Sequence, residues 1–486
     1  MRAAPGVAIA IAVAGMLGAP RAVVAAADLG LLSAIPADSV AVILGRPAST
    51  MSATQPASRE GGDGHATLAA VLAVLNAAGA LPVEGQVLAD VVGCLPLLGA
   101  HEFALILLDV QGRAVPTTRP TTVRSVRLSR LRIALALRTQ GHNEAVRAAV
   151  NRFIQRYTNN AVAVLAEREV FGERVQRLAD ERLPDWAVWE WGPAGDCFVV
   201  ALGEGAWELV AGARRGSVPR LADVDWFREA HRQCAGRLAT FQWCVDVEAL
   251  QSRLSAAALH RVSAVLDALE LSSIQRDYWA FGARGRMLEC RRATVRDGRV
   301  QTAVYADGTL TADAEAAIPP AARSCAVLRV DAGWLFERLP AAYVASQSPR
   351  RQASLRRFWE RVETESGLDV DRIIRACLGD EMLVFNYPAH PLGIPLAATL
   401  AVPIRDPESL QSAVDALCGA SARVMRRRGS GLFRTSLRRA EDGVWYLQAG
   451  VAGPAWIVTE RHLVMSWSPT ALREALAAMG PGVRPR

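Results

Sequence analysis

Two stretches of the chain carry the same order of strand and helix signals at a constant spacing of 265 residues. Leu131 to Arg138 and Leu396 to Val402 are apolar strand runs in which Leu135 falls on Leu400. Cys197 to Leu202 and His462 to Trp467 are strand runs in which Cys197 falls on His462. After the first strand of each set comes a segment with apolar residues at helical spacing, His142 to Tyr157 and Pro407 to Ala422. Asp406 is placed to cap the second of these, with Pro407 in its first turn. Each stretch closes with a strand hairpin and a short helix, and Gly99-Ala100-His101-Glu102 matches Gly379-Asp380-Glu381 at a strand entrance. A spacing held across separate strands implies an internal duplication.

Strand follows strand without an intervening helix over long tracts. Trp186 to Trp191 and Cys197 to Leu202 flank the turn Gly192-Pro193-Ala194-Gly195-Asp196. Tyr278 to Ala283, Met287 to Val295 and Val300 to Ala306 form a meander turned at Arg284-Gly285 and Asp297-Gly298, the last a strong hairpin signal. The expected class is therefore α+β: two related modules with mainly antiparallel or mixed sheets and helices packed on one face. The expected division is residues 1–27 as a signal peptide, 28–218 as the first module, 219–318 as a connecting helix and β-meander, and 319–486 as the second module.

The export expectation rests on Arg2, the apolar run Val7 to Gly18 and the small residues Ala25-Ala26-Ala27 before Asp28. The apolar run falls short of the ~20 residues that span a bilayer, and Arg21 interrupts it. No later segment has the length and apolarity of a span, so the mature chain is expected in the periplasm or outside the cell. With 51% hydrophobic and 21% charged residues, the chain can bury a sizeable core and is not disordered overall.

All 55 basic residues are arginine, which excludes Schiff-base and P-loop lysine chemistry. The formal charge of +7 falls to +5 without Arg2 and Arg21, too mild to signal nucleic-acid binding. Eight cysteines (Cys94, Cys197, Cys234, Cys244, Cys290, Cys325, Cys377 and Cys418) form no C-x-x-C pair and sit mostly in apolar runs, as small buried hydrophobes do.

The motif from Glu365-Ser-Gly-Leu-Asp-Val-Asp371 to Leu378-Gly-Asp-Glu381 resembles an uncharacterised family of exported bacterial proteins that carry a domain of unknown function. Ile35-Pro-Ala-Asp-Ser39 resembles that family's opening, and Trp456-Ile-Val to His462-Leu-Val-Met-Ser466 its end. Ala100-His101-Glu102 departs from the Asp-Glu pattern in the first module. The resemblance implies export and a two-module layout, and supplies no catalytic residue.

Candidate chemistry is weak everywhere. Asp380 and Glu381 are adjacent in a strand entrance and would point to opposite faces. The histidines His65, His101, His142, His231, His260, His390 and His462 make no metal-ligand spacing. Gly429-Ser430-Gly431 is not a nucleophile elbow. Gly203-Glu204-Gly205 has Glu208 where a dinucleotide fingerprint needs its third glycine. Asp369-Val370-Asp371 lacks the remaining ligands of a calcium loop. No catalytic, cofactor or metal residue is assigned.

Two features point to binding. Arginines cluster at Arg124, Arg127, Arg130 and Arg132, at Arg350-Arg351 and Arg356-Arg357, and at Arg423 with Arg426-Arg427-Arg428. Such clusters suit an anionic polymer, and equally a solvated face. Trp189 and Trp191 share a strand face that Trp186 does not, a spacing that suits core packing or stacking on sugars. The expected function is a non-catalytic periplasmic or envelope interaction module, with an envelope protein or an anionic polymer as partner. The alternatives are a binder of anionic envelope polymer through its arginines, and a hydrolase-type enzyme with a site assembled between the modules.

Overall fold

A computed structural model describes residues 30–45, 101–115, 125–141, 143–158, 163–181, 183–235, 239–253, 267–268, 272–284, 287–309, 312–322, 324–329, 338, 340–345, 347, 349–388, 398–427, 436–448 and 453–479. The sequence also predicts a loop over 49–64 and helices over 67–78 and 259–271; the first two, most of the third, the expected signal peptide, Cys94, His65, His142, His260, His390, Arg124, Arg428 and Gly429-Ser430-Gly431 lie outside the described residues.

The first strands are β1 (Ala41–Gly45), β2 (Glu102–Val115) and β3 (Ser125–Arg138), followed by helix α1 (Glu144–Thr158). A four-strand meander comes next: β4 (Ala163–Val170), β5 (Glu173–Asp180), β6 (Trp189–Ala194) and β7 (Cys197–Leu202), then helix α2 (Ala206–Arg215). Pairing is antiparallel throughout, in the order β4–β5–β6–β7–β3–β2–β1. Helix α3 (Asp225–Cys234) leads to β8 (Ala239–Asp246), helix α4 (Val247–Arg253), β9 (Arg276–Arg284), β10 (Met287–Arg296) and β11 (Arg299–Asp307). β8 pairs with β1, and β8 to β11 form an antiparallel meander. Its β10–β11 turn takes Asp297 (φ 48°) and Gly298 (φ 72°) into the left-handed region, as the Asp-Gly signal requires.

Helix α5 (Ala312–Ala317) precedes β12 (Cys325–Arg329), α6 (Pro349–Ser366), α7 (Val370–Cys377), β13 (Glu381–Phe385), β14 (Thr399–Pro403) and α8 (Pro407–Arg427). The chain then runs through β15 (Ser436–Arg439), β16 (Trp445–Gln448), β17 (Ala455–Val458), β18 (His462–Ser466) and α9 (Pro469–Ala478). These strands pair in the order β15–β16–β17–β18–β14–β13–β12, again antiparallel. β12 joins the meander through one parallel pair, Met287 with Cys325, so the whole is a mixed sheet.

The two seven-strand sets match in register as well as in order. Leu135 faces Val200, and 265 residues further on Leu400 faces Met465. Trp191 faces Val200 and Gln176, as Trp456 faces Met465 and Trp445. Ala104 faces Ala136, as Leu383 faces Ala401.

The expectation that helices cover one face is corrected by the core. In β3 the small pair Ala134 and Ala136 packs with Trp207 and Val210 of α2 and with Phe227 and Ala230 of α3. Leu137, on the opposite face of β3, packs with Val146 of α1, Trp191 and Phe198. The second set repeats this: Ala401 and Val464 pack with Leu472 and Ala475 of α9, whereas Val402 and Leu463 pack with Leu410 and Val414 of α8. Alternate residues along a strand point to opposite faces. Because both rows are apolar, both faces need a helical cover.

Candidate functional site

Helix α6 is held by a narrow apolar contact. Phe358 and Val362 pack on Leu417, Ala420 and Val424 of α8. Glu365 adds an ion pair to Arg423 at 3.2 Å. The rest of the helix is polar, and Arg350, Arg351, Arg356, Arg357 and Arg361 are exposed. Spacings of seven and four residues put Arg350, Arg357 and Arg361 on one stripe. No acid precedes Glu360 in this helix. Arg350 and Arg351 therefore stand in the first turn, where the macrodipole disfavours exposed cations by about 0.3–1 kcal/mol each. Among the described residues these five guanidinium groups form no ion pair, and Arg357 donates only to the Ala353 carbonyl, at 3.2 Å. Trp359 and Tyr343 are 39% and 49% exposed on or just before this helix.

Helix α7 extends the basic surface. Asp369 accepts from the Arg372 amide at 3.2 Å and caps it. Asp369, Arg372, Arg375 and Ala376 line an open cleft of about 520 Å³. α6 and α7 both pack against α8, so these arginines belong to one helical layer over the second strand set.

The other sequence candidates disperse. Asp380 pairs with Arg405 at 2.7 Å and is exposed, while Glu381 opens β13 opposite Arg329. Among the described residues no group of histidine, cysteine and carboxylate side chains could hold a metal. His101 lies in a bend before β2, and His462 is buried at the start of β18. His231 Nδ1 lies 3.0 Å from the Tyr278 hydroxyl, which donates to Gln242 Oε1 at 2.7 Å. Tyr278 is 1% exposed, so its bond to Gln242 is closed to solvent, while His231 is half-buried.

Arg130 pairs with Asp109 at 3.3 Å. Arg132 stands beside Gly205, so the first arginine cluster does not join the α6 surface. Trp191 is 2% exposed and Trp189 half-buried in the same cluster, which makes that pair core. The expected strand from Trp186 begins only at Trp189, and Trp186 lies in the preceding turn. Sequence reasoning marked Arg350, Arg351, Arg356 and Arg357 but missed Arg361, Trp359 and the α7 arginines. Arg361 sits among three glutamates, and only the helical stripe separates it from them.

The chain matches no protein-family model, no curated protein and no solved structure.

Proposed function

We propose that this is an exported, non-catalytic interaction protein built by duplication, which binds an anionic envelope polymer through the arginines of α6 and α7. The five exposed arginines of α6, two of them set against the helix dipole in the first turn with no acid before Glu360, carry this reading. A helix surface that opposes its own dipole is electrostatically unfavourable alone and becomes favourable once an anion lies over it. The matching strand order and register support the duplication, and residues 1–27 support export.

The test is binding of the full mature chain to dextran sulfate and to poly-glutamate, measured across a salt series. Binding should weaken steeply as ionic strength rises. The combined Arg350→Gln, Arg357→Gln and Arg361→Gln variant should bind about 10- to 100-fold less tightly, at ~0.5–1 kcal/mol for each exposed charge contact. Absence of binding to both polymers at low salt would sink the proposal, and so would wild-type affinity in the triple variant.

A further inference from the structure

The register match between the strand sets makes each position in one a control for its counterpart in the other. Most counterparts differ little in polarity, as with Ala136 and Ala401 or Trp191 and Trp456. One group does not. Glu190 on β6 faces Arg177 on β5, and the counterpart pair is Ala455 with Tyr446. Arg168 on β4 faces Val175, and its counterpart Ala440 lies opposite Val444. Carrying the spacing of 265 into the following helix puts Arg473 at the place of Glu208 and Pro469 at that of Glu204.

These residues form one charged cluster at the N-terminus of α2. Glu190 is 0% exposed. Its Oε1 accepts from Arg168 at 2.6 Å and from Arg177 at 3.4 Å, and its Oε2 has no partner. Arg168 also pairs with Glu208 at 2.6 Å, but its Nε is buried and unpartnered, as is Glu208 Oε2. Arg177 reaches Glu204 at 3.1 Å, where the cluster meets solvent. Arg132 on β3 makes no ion pair among the described residues. Its Nη2 and Glu208 Oε2 both close on Gly205, at 3.4 and 3.3 Å from where a Cβ would stand.

The two helix starts also differ. In the second set Ser468 caps α9 by accepting from Ala471, with Pro469 in the first turn. In the first set Gly203 (φ 105°) and Gly205 (φ 74°) lead into α2 and no side chain caps it. The fold therefore builds this corner in one copy with a side-chain cap, Ala440 and Ala455 at the strand positions, and one exposed Arg473–Asp442 pair in place of a buried cluster. In the other it leaves an open helix N-terminus, a guanidinium beside it and two unpaired carboxylate oxygens. A scaffold does not need such a cluster when its counterpart does without it, and unmet buried valences are costly.

We propose that this corner is a binding site for a small zwitterion, an α-amino acid or the terminus of a peptide. Its carboxylate sits at the α2 N-terminus against Arg132, and its ammonium donates to Glu208 Oε2 and Glu190 Oε2. An isolated anion would meet the glutamates, and an isolated cation would meet Arg132 and the helix dipole. A ligand with both charges satisfies both sides. This site lies on the first strand set and stands apart from the α6 surface.

The experiment is calorimetric titration of the full mature chain with alanine and with alanyl-alanine, with acetate and ethylammonium as single-charge controls. Either zwitterion should bind, and neither control should bind at the same concentration. Arg132→Gln and Glu208→Gln should each weaken binding about 30-fold, the equivalent of one ~2 kcal/mol charge-assisted hydrogen bond. Replacing the cluster by its counterparts (Arg168→Ala, Arg177→Tyr, Glu190→Ala) should abolish binding while the urea midpoint holds or rises. No binding of either zwitterion would overturn the proposal. Binding unchanged in Glu208→Gln would also overturn it, as would a large fall in urea midpoint for the counterpart variant, since the cluster would then be structural. Polymer binding through α6 is unaffected by these variants, so the two proposals fail separately.

Discussion

Removing Arg292 should be among the most damaging single substitutions outside the hydrophobic clusters. Its guanidinium holds Asp277 with two hydrogen bonds, at 2.8 and 3.1 Å, and lies 4.8 Å from the ring centroid of Trp279. The two charged side chains are only 13% and 16% exposed, so water screens the pair poorly. Breaking a buried pair from one side costs about 3–5 kcal/mol, because the remaining charge stays buried. The lost cation–π contact adds about 0.5–2 kcal/mol. Against this, the Trp279 indole still donates to Asp277 at 3.0 Å, so the carboxylate is not stripped bare. We therefore expect Arg292→Leu to cost about 3–4 kcal/mol. The double variant Arg292→Leu with Asp277→Leu removes both charges and should recover to within about 1 kcal/mol of wild type. Equilibrium urea unfolding followed by near-ultraviolet circular dichroism measures both. A single-variant cost below ~1 kcal/mol, or a double variant as damaging as Arg292→Leu alone, would refute the reasoning.

Burial raises the Glu190 carboxyl above the ordinary glutamate range, and the neighbouring Glu208 and Glu204 add to this against the pull of Arg168 and Arg177. The folded state then holds a proton that the unfolded state has released, so stability should fall as pH rises from the ordinary glutamate value through the raised one. Glu190→Gln should flatten that limb in urea midpoints measured across pH, and an unchanged slope would contradict the assignment. The seven described thiols are all buried and unbridged. Burial pushes Cys197, Cys244 and Cys418 up to about 12 and Cys234 to about 11. A thiolate reagent should therefore leave these seven untouched in the native protein at neutral pH and label them in urea, read by mass spectrometry of the labelled peptides.

Elements with an apolar rhythm and a local stop signal were legible in the sequence. Asp406 does cap α8, accepting from the Ser409 amide at 3.0 Å, and α7 runs over Val370–Cys377 as its spacing predicts. The 265-residue spacing recurs as a shared register, because strand pairing preserves spacing even where identity is lost. The β4–β5 hairpin escaped notice. Val164 to Glu167 are exposed on both faces, with Val164 and Leu165 63% and 52% exposed, so the strand shows no apolar–polar alternation. Its turn uses Phe171 at φ 56° where the usual signal would be Asn or Asp. The sequence predicts a helix over Leu355 to Glu365, whereas α6 begins at Pro349, because its first turns are arginine-rich and hide the apolar stripe. The Glu190 cluster was invisible because its members come from four strands, a turn and a helix. The one local trace is a glutamate between two tryptophans on a strand, Trp189-Glu190-Trp191.

The single parallel pair at Met287 and Cys325 has a mechanical meaning. β10 is laced to β9 and to β11 along most of its length, yet among the described residues a single rung ties it to β12. What holds the seam is apolar adhesion and one ion pair: Phe281, Leu288, Cys290 and Ala306 on one side, Ala326, Leu328 and Val384 on the other, with Arg329 of β12 paired to Asp307 of β11 at 2.7 Å. Under load the sheet would part at this line before any strand set tore. Each half would come away with most of its own core, Met287 alone leaving the cluster it shares with Cys325 and Val327, and could close again along the same apolar seam.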